Sequence, residues 1–181
     1  DFINKGQSHI LQYNYQDRLI INMGYSYHYN SIGGAIINNT IASNSYSIRF
    51  NFESAGNIMY ALSKATNIRK NNDGEYAILG IPYAQYVKGE FDFSKNIRID
   101  HRNSFAFHIG MGIAVPYGNA KTIPFEKQYF SGGANSVRGW TVRDLGPGSF
   151  VRDENTNLLD QSGDIKLDAS IEYRSKLFWK F

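Results

Sequence analysis

The chain has 181 residues, no cysteine, 19 Lys+Arg against 16 Asp+Glu, and a mean hydropathy of -0.41. Its size fits one domain, the lack of cysteine excludes a disulfide scaffold or thiolate metal site, and a net charge of +3 spread along the chain leaves no nucleic-acid footprint. The longest near-apolar run, Ile109 to Tyr117, is too short for a membrane helix, and the start at Asp1-Phe2-Ile3-Asn4 carries no basic-then-apolar signal segment. What remains is a composition of 13 Tyr, 12 Phe, 2 Trp and 17 Gly, poor for helices and suited to strands joined by turns.

In chain order, Leu11, Tyr13, Tyr15, Leu19, Ile21, Met23, Tyr25, Tyr27 and Tyr29 share odd parity. A two-residue turn at Gln16-Asp17 would put Leu19 on the wrong face, so one long strand over about 8–30 is expected. Residues 31–45, with Gly33-Gly34 and Asn38-Asn39, read as a loop. From 46 to 62 the even positions Tyr46, Ile48, Phe50, Phe52, Ile58, Tyr60 and Leu62 are apolar and the odd ones include Arg49, Asn51 and Glu53. Ser54-Ala55-Gly56 interrupts that run as a bulge or bend. After a loop over 63–80, residues 81–95 set Tyr83, Val87, Phe91 and Phe93 against Lys88, Glu90 and Asp92.

The strand 103–116 differs, because behind Phe105, Phe107, Ile109, Met111, Ile113 and Val115 its even face is small: Ala106, Gly110, Gly112 and Ala114 with His108. Something bulky is expected against it. The stretch 117–164 is far longer than a hairpin needs. From 165 to 178, Ile165, Leu167, Ile171 and Tyr173 alternate with Lys166, Asp168, Glu172 and Arg174.

Alternation alone fits a soluble β-sandwich as well as a membrane barrel. Strands of 13 to 20 residues, against a usual length of about 5–6, and apolar faces rich in Tyr and Phe favour the barrel, with its apolar exterior and polar lumen. Five strands are too few to close such a wall, which begins at about eight. The chain is therefore expected to be a piece of something larger, with Trp179-Lys180-Phe181 awaiting a neighbour.

The long loop contains Gln128-Tyr129-Phe130-Ser131-Gly132-Gly133-Ala134-Asn135-Ser136-Val137-Arg138-Gly139-Trp140, then Leu145-Gly146-Pro147-Gly148. This resembles the loop signature of the BamA/TamA superfamily, surface-antigen barrels of bacterial outer membranes: Val-Arg-Gly-aromatic after Gly-Gly, followed by a strand with a Glu-aromatic pair, here Glu172-Tyr173. Trp140 and the Leu-Gly-Pro-Gly continuation resemble a TamA-like member of Bacteroidetes-type bacteria. The resemblance implies an all-β fragment, five long antiparallel strands plus a lumen loop, of a transmembrane barrel of roughly 16 strands. Residues 1–181 would then be part of one C-terminal barrel domain lacking its periplasmic modules and last strands. It also implies that the loop, about 117–164, folds into the lumen, where Arg138 meets Glu172 and Gly132, Gly133, Val137, Gly139 and Trp140 shape the motif.

The implied role is non-enzymatic: assembly, insertion or translocation of outer-membrane proteins, with outer-membrane lipids, client proteins and a TamB-like periplasmic protein as partners. The alternatives are a two-partner secretion pore, a barrel anchoring a surface enzyme encoded upstream, or a soluble β-sandwich binding module. No catalytic residue, cofactor or metal is expected. His9, His28, His101 and His108 lack ligand spacing, Gly148-Ser149 forms no nucleophile elbow, and Asp160, Asp164 and Asp168 read as loop or lumen charge rather than a calcium site. Tyr25, Tyr27 and Tyr29 read as a bilayer-interface girdle.

Overall fold

The computed structural model describes residues 17–31, 44–72, 74–100, 102–134, 136–145 and 162–176. Along the chain these form β1 (Asn22–Asn30), β2 (Asn44–Ala55), α1 (Asn57–Ala65), β3 (Ala77–Ile78), β4 (Ile81–Pro82), β5 (Tyr86–Arg98), β6 (Asn103–Pro116), a 3-10 turn (Phe125–Lys127), β7 (Tyr129–Phe130), β8 (Ser162–Gly163) and β9 (Ile165–Ser175). The long strands make one five-stranded sheet in the order β1-β2-β5-β6-β9. Each long strand thus lies beside the long strand that precedes it in the chain, the up-and-down meander of a barrel wall.

The β6–β9 register explains the small face of β6. The pairs are antiparallel and match odd with odd: Phe105 with Tyr173, Phe107 with Ile171, Met111 with Leu167 and Ile113 with Ile165. On the even side Ala106 meets Glu172, Gly110 meets Asp168 and Gly112 meets Lys166. A Cβ on Gly110 would lie 2.6 Å from Asp168 Oδ1 and 3.2 Å from Asp92 Oδ1. Along this strand, then, charged side chains of its neighbours occupy the space that the glycine leaves.

The faces are covered in the opposite sense to a water-soluble sandwich. Ile109, Met111 and Ile113 are 43–52% exposed on β6, and Ile165, Leu167 and Ile171 are 72–73% exposed on β9. Gly110, Gly112 and Ala114, on the other face of β6, are buried. On β1, Met23, Tyr25, Tyr27 and Tyr29 are likewise exposed. On β6 the apolar side is open and the small side is covered, which suits a lipid exterior for the apolar face.

Three segments differ from the sequence reading. The run expected to continue through 62 as a strand stops at Ala55; Gly56, at φ +77, starts α1. A Cβ at Gly56 would lie 2.3 Å from Ala84 O, so the turn needs glycine. The expected strand over 8–30 begins among the described residues at Asn22. Leu19 instead bridges the segment before β5, donating from its N–H to Pro82 O at 3.0 Å and accepting from Ala84 N–H at 3.0 Å. Similarly, β5 starts at Tyr86 rather than 81, and Tyr83, 1% exposed, forms an isolated bridge with Leu19 before that strand. Residues 8–16, Asn38-Asn39, Gly146-Pro147-Gly148, Asp160 and Trp179-Lys180-Phe181 lie outside the described residues.

The chain divides into two compact units. The first takes Asp1–Gly24, Glu53–Lys88 and Ala114–Asp164 and holds the buried cluster of Ala55, Ala84, Tyr86, Ala114, Ile123 and Tyr129. The second takes Tyr25–Phe52, Gly89–Ile113 and Ile165–Phe181. Within it His108 lies 3.4 Å from both Asp92 and Asp168, and Lys166 Nζ is 2.9 Å from Asp168.

Candidate functional site

The loop after β6 is built within the first unit, from its entry onward. Tyr117 N–H donates to Gln85 O at 3.1 Å, and Asn119 N–H donates to Gln85 Oε1 at 2.9 Å. The Asn119 amide is satisfied on both ends. Its Nδ2 donates to Tyr76 O and Tyr83 O, each at 3.0 Å, while Oδ1 accepts from Tyr76 N–H at 2.6 Å. A buried amide that imitates a strand partner replaces water for three backbone groups.

The next turn of the loop is pinned to the strands by charge and packing. Glu53 on β2 accepts through Oε1 from Asn22 Nδ2 at 2.6 Å, Tyr86 OH at 2.5 Å and Lys127 Nζ at 2.7 Å. The Lys127 and Glu53 side chains are 26% and 24% exposed, so the ion pair is partly shielded and contributes at the upper end of about 0–1 kcal/mol or somewhat above. Beside it, Ile123 and Tyr129 share the buried cluster with Ala84 and Ala114, and Lys88 Nζ stands 4.2 Å from the Tyr129 ring centre. Ala114, at the end of β6, is the residue of that strand that the loop packs against within this unit.

The glycine motif then closes a compact turn-back. Gly132 and Gly133 have φ +101 and +88. A Cβ on Gly132 would lie 2.1 Å from Thr141 O, and one on Gly133 would lie 2.8 Å from Val142 Cγ2. Only glycine allows the two arms this close. Gly133 N–H donates to Trp140 O at 2.9 Å and Arg143 N–H to Ser131 O at 3.1 Å. Between the arms, Trp140 N–H donates to Val137 O at 3.2 Å, so Val137-Arg138-Gly139-Trp140 is a β-turn. Arg138 is at its tip and exposed, while a Cβ on Gly139 would meet nothing within 4 Å among the described residues.

A residue that sequence reasoning missed holds this loop. Arg143, at φ +64, stacks its guanidinium 4.0 Å from the Phe125 ring centre and 4.9 Å from that of Phe130. Flat guanidinium on aromatic faces is favourable cation–π geometry. The Lys127–Glu53 contact was likewise not expected, although parity had put Glu53 on the polar face. Nothing in the spacing of these residues announces either contact.

Glu172, the expected partner of Arg138, belongs to the second unit, and Arg138 to the first. On β9 the Glu172 carboxylate accepts from Arg174 Nε at 3.1 Å and Nη2 at 3.0 Å. The two side chains are 52% and 56% exposed, which leaves such a pair at about 0–1 kcal/mol.

Long neighbouring strands in meander order, with an open apolar face, define the wall of a transmembrane β-barrel. The chain belongs to the Omp85 superfamily, whose domain matches residues 5–181, and its place is the outer membrane. Among characterised proteins it is similar to the outer membrane protein assembly factor BamA of Neisseria meningitidis serogroup B (strain ATCC BAA-335 / MC58), 40% identical over 62 residues. That stretch is 34% of this chain and 8% of the BamA protein.

Proposed function

We propose that the chain is part of the C-terminal barrel of a protein that assembles, inserts or translocates other outer-membrane proteins, with the loop 117–164 turned into the lumen and Arg138 braced by Glu172. The carrying observation is the packing of the loop against the strand ends of its own unit: Ile123 and Tyr129 in one cluster with Ala114, and Lys127 on Glu53. Such a loop is an internal prop rather than a solvent excursion. The reading of Arg138 draws on its position at a turn tip, where its five donors are available, and on Glu172 standing at an even, inward position of β9 beside Arg174. Bringing Arg138 to that carboxylate would make a two-arginine, one-glutamate cluster in the lumen.

The similarity to an assembly factor favours assembly over a secretion pore or an enzyme anchor. Client outer-membrane proteins and the surrounding lipids are then the partners, and no step of the role requires bond-making chemistry. Trp140 and Leu145-Gly146-Pro147-Gly148 carry the finer reading, a TamA-like member with a TamB-like periplasmic partner.

The test is Arg138→Ala in the full-length protein. The expected outcome is an inserted, heat-modifiable barrel with impaired client assembly and a protease-sensitive loop, since removing the guanidinium takes away the loop's proposed tether to Glu172. Wild-type assembly with unchanged loop resistance would count against the proposal.

A further inference from the structure

The helix α1 is turned inside out. Its one buried residue is Ser63, whereas Ile58, Ala61, Leu62 and Ala65, which recur at the spacing of a single helix face, are all exposed, with Ile58 and Leu62 at 52% each. A helix of a water-soluble domain buries that stripe and exposes the serine.

We infer that α1 is an interfacial helix lying on the surface of the bilayer that surrounds the barrel, its Ile58–Leu62 stripe in the acyl–headgroup boundary and its basic residues on anionic headgroups. Three observations select lipid as the occupant. First, α1 is joined to a lipid-facing strand: Gly56 N–H, immediately before the helix, donates to Ile21 O at 3.0 Å. Ile21 leads directly into Met23, with which it shares the odd apolar side, and both are exposed. The exposed stripe therefore begins beside the exposed apolar run that continues through Met23 into β1. Second, the polar flank has the chemistry of a headgroup layer. Tyr60 and Tyr76 meet edge to face with ring centres 5.9 Å apart. Lys64 Nζ and Lys70 Nζ stand 4.9 and 5.1 Å from the Tyr60 and Tyr76 ring centres. Amphipathic rings with snorkelling lysines are what membrane interfaces enrich. Third, the charge is one-sided: from Asn57 to Asn72 the sequence has Lys64, Arg69 and Lys70 and no Asp or Glu. Phosphate-bearing headgroups complement that set, because cations near an anionic membrane surface are attracted to it.

The helix is short, about 13 Å at 1.5 Å per residue, and would not bind a membrane alone. Tethered to β2, it only has to settle. Its role would be to fix the rim of the barrel at a set depth.

The absence of cysteine in this chain makes the test direct. Ile58→Cys and Leu62→Cys are introduced singly into the full-length protein and labelled with bimane. The protein is reconstituted in vesicles of phosphatidylcholine with phosphatidylglycerol, with Lys121→Cys, exposed in the loop after β6, as the water reference. Headgroup-region nitroxide lipids are expected to quench both helix labels, and aqueous iodide to quench them about threefold or more weakly than the Lys121 label, as for residues buried about 5–10 Å into the interface. Iodide quenching equal to that at Lys121 would overturn the inference by putting the stripe in water. Protection from both quenchers would overturn it by putting protein on the stripe. Heat-modifiable migration of each variant reports barrel insertion separately, so a helix found in water leaves the outer-membrane assignment intact.

Discussion

A methyl group at Gly132 would test the loop's architecture most sharply. The Cβ would lie 2.1 Å from Thr141 O, against an ordinary carbon–oxygen contact of about 3.3 Å, so the two arms would have to part by roughly 1 Å. An L-residue held at φ +101 costs about 1–3 kcal/mol. Separating the arms also lengthens Gly133 N–H to Trp140 O and Arg143 N–H to Ser131 O, each worth about 1 kcal/mol net. Together this destabilises the closed loop by about 3–5 kcal/mol, which raises the open fraction by about a hundredfold to a few thousandfold. Trypsin cleavage after Arg143, measured on the full-length protein in membranes, follows that open fraction when opening is fast relative to cleavage. Gly139→Ala is the matched control, because nothing described lies within 4 Å of its Cβ position. Both variants are expected to keep heat-modifiable migration, and only Gly132→Ala to be cut faster. Equal cleavage of the two would refute the close-approach reasoning.

Arg143→Ala is expected to loosen the same loop by about 1–2 kcal/mol, through loss of the Phe125 and Phe130 contacts. Arg143→Gly would recover part of this by relaxing the backbone at φ +64, so chymotryptic resistance should rank wild type, then Gly, then Ala. Gly110→Ala is expected to lower the temperature at which the compact electrophoretic form is lost, because of the Asp168 contact at 2.6 Å. In a double-mutant cycle with Asp168→Ala the two costs should sum to more than that of the double variant; strict additivity would mean the carboxylate has another place to go. Ile171→Lys, on the open face at 73% exposure, should cost up to about 2–4 kcal/mol in refolding into vesicles, depending on depth. Its neighbour Ser170→Lys, on the other face, should cost less, and the reverse order would contradict the assignment of the faces.

Parity carried most of the fold because lipid and lumen impose opposite polarity on alternate residues. The strand expected over 103–116 is β6 to the residue, and the odd-to-odd β6–β9 pairing follows from that sorting. The helix α1 was hidden by the same rule. Ile58, Tyr60 and Leu62 extend the even apolar run of β2, yet Ile58, Ala61, Leu62 and Ala65 also satisfy helical spacing. The deciding feature is the left-handed Gly56, wedged against Ala84 O, a contact between segments far apart in sequence. The motif glycines 132 and 133 were legible as loop chemistry, but their partners Thr141 and Val142 were not. His108 likewise read as an isolated histidine, and only the neighbouring strands bring Asp92 and Asp168 to it.

The two arginines of the loop divide its work. Arg143 is consumed by architecture, stacked on Phe125 and Phe130, and its backbone N–H closes the turn-back on Ser131. Arg138 does none of this. Its turn is closed by Val137 O and Trp140 N–H, no contact among the described residues of its unit engages its guanidinium, and its side chain is exposed. The glycine contacts, the Arg143 stack and the Lys127–Glu53 pair shape the loop without Arg138, which leaves it the separate task of tethering the finished loop. Its charge is available to something the loop itself does not supply, and the inward carboxylate of Glu172 is the group that the proposed reading assigns to it. The division also separates the experiments: Arg143 variants should change loop resistance in proportion to function, whereas Arg138→Lys, which keeps charge but loses the planar fork, should impair client assembly more than it loosens the loop.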